Sequence, residues 1–326
     1  MRVLSGVRPS GILHVGNYFG AVKQWVDLQN AEECFVMVAD LHAIITPYDK
    51  EQFSAQTLQT AIVYIAAGID PKKTPIFVQS HIHEHTELMW LLNTMTPLGE
   101  LERMTQFKEK AAQHAKDINA GLLNYPVLQA ADIMLYKAEG VPVGRDQVQH
   151  IEFTRTLARK FNTRFTEMFP EPKEILPTFG EKIMSLSESV KKMSKSDLPA
   201  SYIALFDSPL VIKEKIKAAI TDSGKEVVYN PKEKPAISNL MTIHHLFSGM
   251  KMEDMEAEFK GIGYVAFKEK VAETVIEGLR PIQEKHLELQ NKPDYIREVL
   301  EKGAEHARSI ARETLREAKE AMGLLL

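Results

Sequence analysis

A chain of 326 residues, 44% apolar and 26% charged, has the make-up of an ordinary globular protein with room for two domains. A net charge of −4 leaves any RNA contact to local basic patches, and a single cysteine, Cys34, excludes a disulfide framework and a cysteine-built zinc or iron–sulfur site. No apolar stretch reaches membrane-spanning length and no signal peptide follows Arg2, so a cytoplasmic protein without a membrane partner is expected.

The first half alternates short apolar runs with amphipathic stretches, the pattern of a parallel sheet with helical crossovers. Val3–Val7 reads as a strand, and Pro9-Ser10-Gly11-Ile12-Leu13-His14-Val15-Gly16-Asn17 leads from it into a helix over Tyr18–Gln29. Cys34–Ala39 is a buried strand in which Cys34 serves as a small core hydrophobe. A helix over Lys50–Ala67 is closed by Gly68 and Pro71, and a strand follows at Ile76–Gln79. In His81-Ile82-His83-Glu84-His85, strand alternation would align three imidazoles, but exposed strand-end histidines are the expectation and no metal site is assigned. Helices are predicted over Thr86–Leu92, Tyr125–Tyr136 and His150–Phe161, with a strand at Val141–Val143. Pro126 fits the first turn of its helix, which puts Tyr125 at the entry and sets Tyr125, Gln129 and Asp132 on one face. That polar stripe among Val127, Leu128 and Ile133 is either a satisfied core network or a ligand site, and its place just before the Val141 strand favours a ligand. A Pro-rich passage, 169–177, precedes Ile183-Met184-Ser185-Leu186 and the run Lys191-Lys192-Met193-Ser194-Lys195-Ser196-Asp197. Residues 207–326 read as helices almost throughout, the last from about Ala304 to Met322.

Two stretches are suited to the same triphosphate. The turn at 9–17 lies where free backbone N–H groups and a helix start favour an anion; Gly11 and Gly16 permit close approach, and His14 and Asn17 are neutral donors. The 191–197 run brings three ammonium groups and two hydroxyls, suited to clamping phosphates. A third stretch, Val141 to His150, places Asp146 and Gln147 at the carboxyl end of a strand, where open α/β sheets bind ligands; helix capping would account for Asp146 alone.

Together these motifs resemble the signatures of class I aminoacyl-tRNA synthetases, with His14 and Asn17 at the histidine positions of the first. The whole chain is similar to the bacterial tryptophanyl-tRNA synthetases, supported by Gly99-Glu100-Leu101-Glu102-Arg103-Met104-Thr105-Gln106-Phe107-Lys108, Ala219-Ile220-Thr221-Asp222-Ser223 and Ile237-Ser238-Asn239-Leu240. The resemblance implies an α/β Rossmann-type catalytic domain with a dimerising helical insertion (1–186), a lysine loop (187–198), a smaller all-helical anticodon-binding domain (199–300) and a C-terminal helix (301–326). It implies a homodimer that uses ATP with Mg²⁺, L-tryptophan and tRNA(Trp). Carried over by position, His14, Asn17, Lys192 and Lys195 would be catalytic. Arg8, Pro9, Ser10, Gly16, Gly144, Arg145, Asp146, Ile183, Met193, Ser194 and Ser196 would join Asn17, Lys192 and Lys195 around ATP. Asp132 would accept the indole N–H, Tyr125 and Gln147 would hold the α-ammonium, and Gln129, His42, Gly6, Val141 and Val143 would complete the tryptophan pocket. An acceptor carboxylate suits indole, which is only a donor.

Three positions depart from the family pattern. Gln129 stands where many relatives have Met, and Tyr125, Gln129 and Asp132 also match how tyrosyl-tRNA synthetases read tyrosine, which is the alternative specificity. Arg8 replaces a common Gln and would reach a phosphate or pair with Asp146 or Asp132, and Leu4 replaces a frequent aromatic. A small-molecule nucleotidylyltransferase would need no helical RNA domain, and a non-catalytic RNA-binding paralogue would not need Lys192, Lys195 and Asp146 together.

Overall fold

In the computed structural model, residues 1–9, 13–108, 118–177, 183–194 and 197–326 are described. The strands β1 (Arg2–Val7), β2 (Glu33–Val38), β3 (Ile76–Val78), β4 (Gly140–Pro142) and β5 (Lys173–Ile175) form one sheet in the order β3-β2-β1-β4-β5 with every pairing parallel. Its central strands are apolar on both faces because helices cover both. Val36 and Val38 of β2 join one hydrophobic cluster, while Phe35 and Met37 join the other, so strand alternation divides the core in two. Gly6 of β1 is needed for this close pairing, since a Cβ there would lie 2.4 Å from the Met37 carbonyl oxygen.

The cluster on the Val36 face takes in the helical run of α1 (Val15–Asn17), a π turn (Tyr18–Val22) and α2 (Lys23–Leu28), together with α4 (Lys50–Ala66). Short α3 (Asp40–Ala43) lies between β2 and α4. The opposite cluster takes in α5 (Glu84–Asn93), α6 (Leu98–Glu102), α7 (Ala120–Leu135), α8 (Val148–Arg164) and the last helix, α13 (Pro293–Ala321). Between α8 and α13 stand α9 (Pro209–Ala218), α10 (Pro235–Ser248), α11 (Met252–Glu258) and α12 (Tyr264–Gln290). Their apolar faces continue the Val36-side cluster, and Phe19 of the π turn meets Phe247 of α10 edge-on at 4.8 Å.

Four expectations need correction. β5 lies inside the Pro-rich passage; two of its three residues, Lys173 and Glu174, are charged, so it shows no apolar run, and as an edge strand it tolerates flanking prolines. Helix α7 starts at Ala120, where the Asn119 carboxamide accepts from Leu122 N at 3.0 Å, so Pro126 and Tyr125 lie inside the helix rather than at its entry. The His81–His85 run is not a strand: a 3₁₀ turn (Gln79–His81) passes into α5, which removes the alternation that would have aligned three rings. Helix α13 begins at Pro293, well before Ala304, because proline fits the first helical position. Gly303 lets it lie directly on β3, where a Cβ would sit 2.0 Å from the Ile76 carbonyl oxygen.

Candidate active site

The sheet order reverses at β1, so the carboxyl ends of β1 and β4 flank a crevice of the kind in which open α/β sheets hold ligands. From the end of β1, Arg8 is exposed and forms no ion pair among the described residues, and Pro9 is buried. Ser10, Gly11 and Ile12 lie outside the described residues. His14 is buried at the start of α1; its backbone N–H donates to Asn17 Oδ1 at 3.2 Å. Its ring folds over Gly16, where a Cβ would stand 2.9 Å from the imidazole.

The lysine segment reaches this turn by two routes. Its stem is a short antiparallel ribbon, with Met184 bridged to Lys192 and Met193 N donating to Ile183 O at 2.9 Å. The Ile183 side chain comes within 3.9 Å of where a Gly16 Cβ would sit. Leu186 N donates to Ser201 O at 2.8 Å; just beyond, Val15 N donates to Ile203 O and Leu205 N to Leu13 O, both at 3.0 Å. Lys192 is exposed, whereas Lys191 is paired with Asp197 at 2.6 Å, which raises its ammonium pKa. Lys195 and Ser196 lie outside the described residues.

At the end of β4, Gly144 leaves room for the Asp146 carboxylate to fold back; a Cβ there would be 2.7 Å from Asp146 Oδ1. Neither the 3₁₀ turn (Arg145–Gln147) nor α8 has a side-chain cap bond, so capping does not engage Asp146. Asp146 Oδ2 instead accepts from Gln147 Nε2 at 2.6 Å. The stretch from Gly99 to Lys108 meets this motif where Thr105 N donates to Gln149 Oε1 at 3.0 Å.

Below the crevice lies Asp132, 1% exposed on α7. Its Oδ1 accepts from Gln79 Nε2 at 2.8 Å and pairs with His85 Nδ1 at 2.7 Å; its Oδ2 pairs with His42 Nε2 at 2.8 Å. Burial alone would raise this carboxyl, but hydrogen bonds and charge from His42 and His85 hold it down at about 2. His85 is fixed in turn by Tyr136 OH at 2.9 Å, and burial beside Asp132 and Glu84 pushes that phenol well up. Asp40, at the start of α3, accepts from Ser80 N at 2.9 Å and from Ser80 Oγ, tying the helix that bears His42 to the turn that bears Gln79. Tyr125 OH meets His150 Nε2 at 2.9 Å, and the Tyr125 and His42 rings stand edge-on at 6.3 Å. Val141 and Val143 pack in the same cluster as α7, and Gly6 shares the sheet face of Leu4, a member of that cluster. Gln129 is half-buried between Tyr125 and Asp132.

The family described as tRNA synthetases class I (W and Y) matches residues 1–280. The chain belongs to this family. A tryptophan--tRNA ligase of Caldanaerobacter subterraneus subsp. tengcongensis is 48% identical over 326 residues, covering 100% of this chain and 99% of its own length. One of Clostridium acetobutylicum is also 48% identical, over 99% and 97%. Among solved structures, tryptophanyl-tRNA synthetase of Mycoplasma pneumoniae superposes with a TM-score of 0.89 at 33% identity, covering 99% of this chain and 98% of that one. That of Campylobacter jejuni, complexed with ADP and tryptophan, gives 0.86 at 36%, covering 99% and 100%.

In this class I synthetase the turn around His14 and the stem of the lysine segment meet through backbone hydrogen bonds and Ile183. Arg8 pairs with neither Asp132, which is enclosed by Gln79, His85 and His42, nor Asp146. The network residues Gln79, His85, Tyr136 and His150 were not legible as site residues. Gln79 reads as the end of a strand and His85 as part of an exposed run; a helical reading of 84–93, which sets His85 beside Leu88 and Leu92, would have buried it. Among the described residues, no group of three or more His, Cys, Asp or Glu is arranged to hold a metal. No helix of the described residues is long and apolar enough to cross a membrane.

Proposed function

We infer that the chain is a tryptophan--tRNA ligase, which activates L-tryptophan with ATP and transfers it to the 3′ end of tRNA(Trp). The observation that carries this reading is a buried acceptor, Asp132, held ionised by its histidines, beneath a crevice flanked by two anion-suited turns and the Asp146 strand end. An indole offers one donor, and a carboxylate too acidic to be protonated near neutrality can only accept. Relatives 48% identical along the full chain, named tryptophan--tRNA ligases, favour tryptophan over tyrosine.

The tryptophan carboxylate attacks the α-phosphorus of ATP, forming the adenylate as the bond to pyrophosphate breaks. Charge develops on the leaving pyrophosphate, where Lys192, Lys195, His14 and the helix start at Asn17 stabilise it more than they stabilise bound ATP. A ribose hydroxyl of the tRNA 3′-terminal adenosine, the 2′-hydroxyl as in other class I enzymes, then attacks the acyl carbon, and AMP leaves. Positioning and electrostatics supply the catalysis, without a covalent enzyme intermediate. Mg²⁺ arriving with the nucleotide would supply charge neutralisation at the phosphates.

Arg8, Pro9, Ser10, Gly16, Gly144, Arg145, Asp146, Ile183, Met193, Ser194 and Ser196 surround the nucleotide in this reading. Tyr125 and Gln147 hold the α-ammonium, while Gln129, His42, Gly6, Val141 and Val143 line the side-chain pocket. The segments 1–186, 187–198, 199–300 and 301–326 serve as catalytic domain, lysine loop, anticodon-binding domain and closing helix of a cytoplasmic homodimer.

Pyrophosphate exchange into ATP with each of the twenty amino acids tests the reading. Exchange with tryptophan alone is expected; exchange with tyrosine would move the specificity, and exchange with none would end the ligase reading.

A further inference from the structure

Two stretches that carried the resemblance, Ala219–Ser223 and Ile237–Leu240, have no place in the chemistry above. Both are built around the stem of the lysine segment. Asn239, 5% exposed on α10, accepts from Met184 N with its Oδ1 at 2.8 Å and donates from its Nδ2 to Met184 O at 3.0 Å. One side chain therefore takes both backbone groups of one residue, as a neighbouring strand would. A carboxamide suits this task, since it carries a donor and an acceptor side by side on one planar group without charge.

Met184 is the residue bridged to Lys192. On either side of that bridge, Met193 N donates to Ile183 O at 2.9 Å and Ser185 N to Lys191 O at 2.8 Å. Two residues on, Leu186 O accepts from Ile220 N at 2.9 Å. Helix α10 is itself pinned at its start, where Asp222 accepts from Ala236 N at 3.2 Å and Ile237 N at 2.9 Å. Ile183 and Met193 are buried in the same cluster as Ile237, Leu240 and Met241. A continuous hydrogen-bonded path thus runs from Asp222 through α10 and Asn239 to Met184, and across the ribbon to Lys192.

We propose that Asn239 is a positioning residue for the activation step: by clamping Met184 it fixes the ribbon that presents Lys192, so that the helical part of the chain sets where the Lys192 ammonium stands. The proposal rests on the ligase reading for its kinetic test. Asn239 has both ends of its amide committed to Met184 and acts only through the ribbon.

The test combines kinetics with hydrogen exchange. Asn239→Ala should lower kcat for tryptophan-dependent pyrophosphate exchange roughly tenfold while KM for tryptophan stays within about twofold. In a Lys192→Ala background the same change should add less than about twofold, because the clamp acts through that lysine. Asn239→Asp keeps the size and the bond from Met184 N but sets an acceptor against Met184 O, and should behave like the alanine variant. In the unmodified protein the Met184 amide should exchange slowly, and in either variant faster, with β1 and β2 unchanged. A kcat equal to the unmodified enzyme's, a loss that adds in full to Lys192→Ala, or a KM for tryptophan rising with the loss would overturn the proposal. If neither variant folds, rapid exchange at Met184 in the unmodified protein would overturn it as well. An unmodified enzyme without tryptophan-dependent exchange would defeat the ligase reading instead, and the Met184 amide would still decide whether the clamp exists.

Discussion

The two ends of the crevice are built on opposite principles. At the end proposed to take the amino acid, Asp132 is enclosed by Gln79, His42 and His85, and these are held in turn by Asp40 and Tyr136, so the acceptor is set before any ligand arrives. At the end proposed to take the phosphates, Lys192 and Asp146 are exposed, and among the described residues the His14 turn and the lysine stem meet through backbone bonds and Ile183. Specificity for a neutral ring needs a fixed acceptor in a dry site, where an unmet hydrogen bond is most damaging. Charge stabilisation of a leaving pyrophosphate needs cations that can still reach it as it departs.

The contrast predicts different kinetic losses. Lys192→Ala should lower kcat for pyrophosphate exchange by on the order of 10²–10³ with little change in KM for tryptophan, since it removes a transition-state contact. An unchanged kcat would remove Lys192 from the phosphate end. Asp132→Asn should lower kcat/KM for tryptophan about a hundredfold, because the amide N–H₂ would face donors already present. An equal loss in exchange supported by a substrate lacking the ring N–H would show that the acceptor is not reading indole.

Next in size is the support shell. His85→Phe keeps a planar ring but removes the bond to Asp132, and should raise KM for tryptophan roughly tenfold with kcat nearly kept; a fall confined to kcat would contradict a purely orienting role. Gly303→Ala tests whether rigidity at this end begins at β3, the strand that leads to Gln79. Its Cβ would strike the Ile76 carbonyl, so the unfolding free energy should drop by about 1–3 kcal/mol with Lys192-dependent kcat little altered. Denaturant titration measures it.

The smallest effect is a pH dependence. The Asp132 carboxyl is depressed to about 2 from an ordinary 3.8, so its contribution to stability is whole above the ordinary value and is lost as pH falls from about 4 through 2. Unfolding curves of Asp132→Asn should be flatter than those of the unmodified protein across that window. Parallel curves would mean that the cage does not hold the carboxylate ionised.

The features legible in the sequence are those with short-range signatures. The 9–17 turn, the 191–197 run and the 141–150 strand end carry their glycines, lysines and polar ends within ten residues, and the four strands β1 to β4 lie in runs of mainly apolar residues, as buried parallel strands do. Asp132 stood out because a charge among Val127, Leu128 and Ile133 must be met by something. Of the partners that meet it, only His42 was named, through the family resemblance; Gln79 and His85 were not, since the partners come from β3's end, α3 and α5, 47 to 90 residues away in the chain. Strand β5 and the helix start at Ala120 were missed because pairing with β4 and the cap at Asn119 outweighed the local prolines. Local spacing therefore determined which chemistry the chain carries. Only the tertiary fold decided how Asp132 stays ionised and which helix holds the lysine ribbon, because both depend on hydrogen bonds between segments that no sequence period connects.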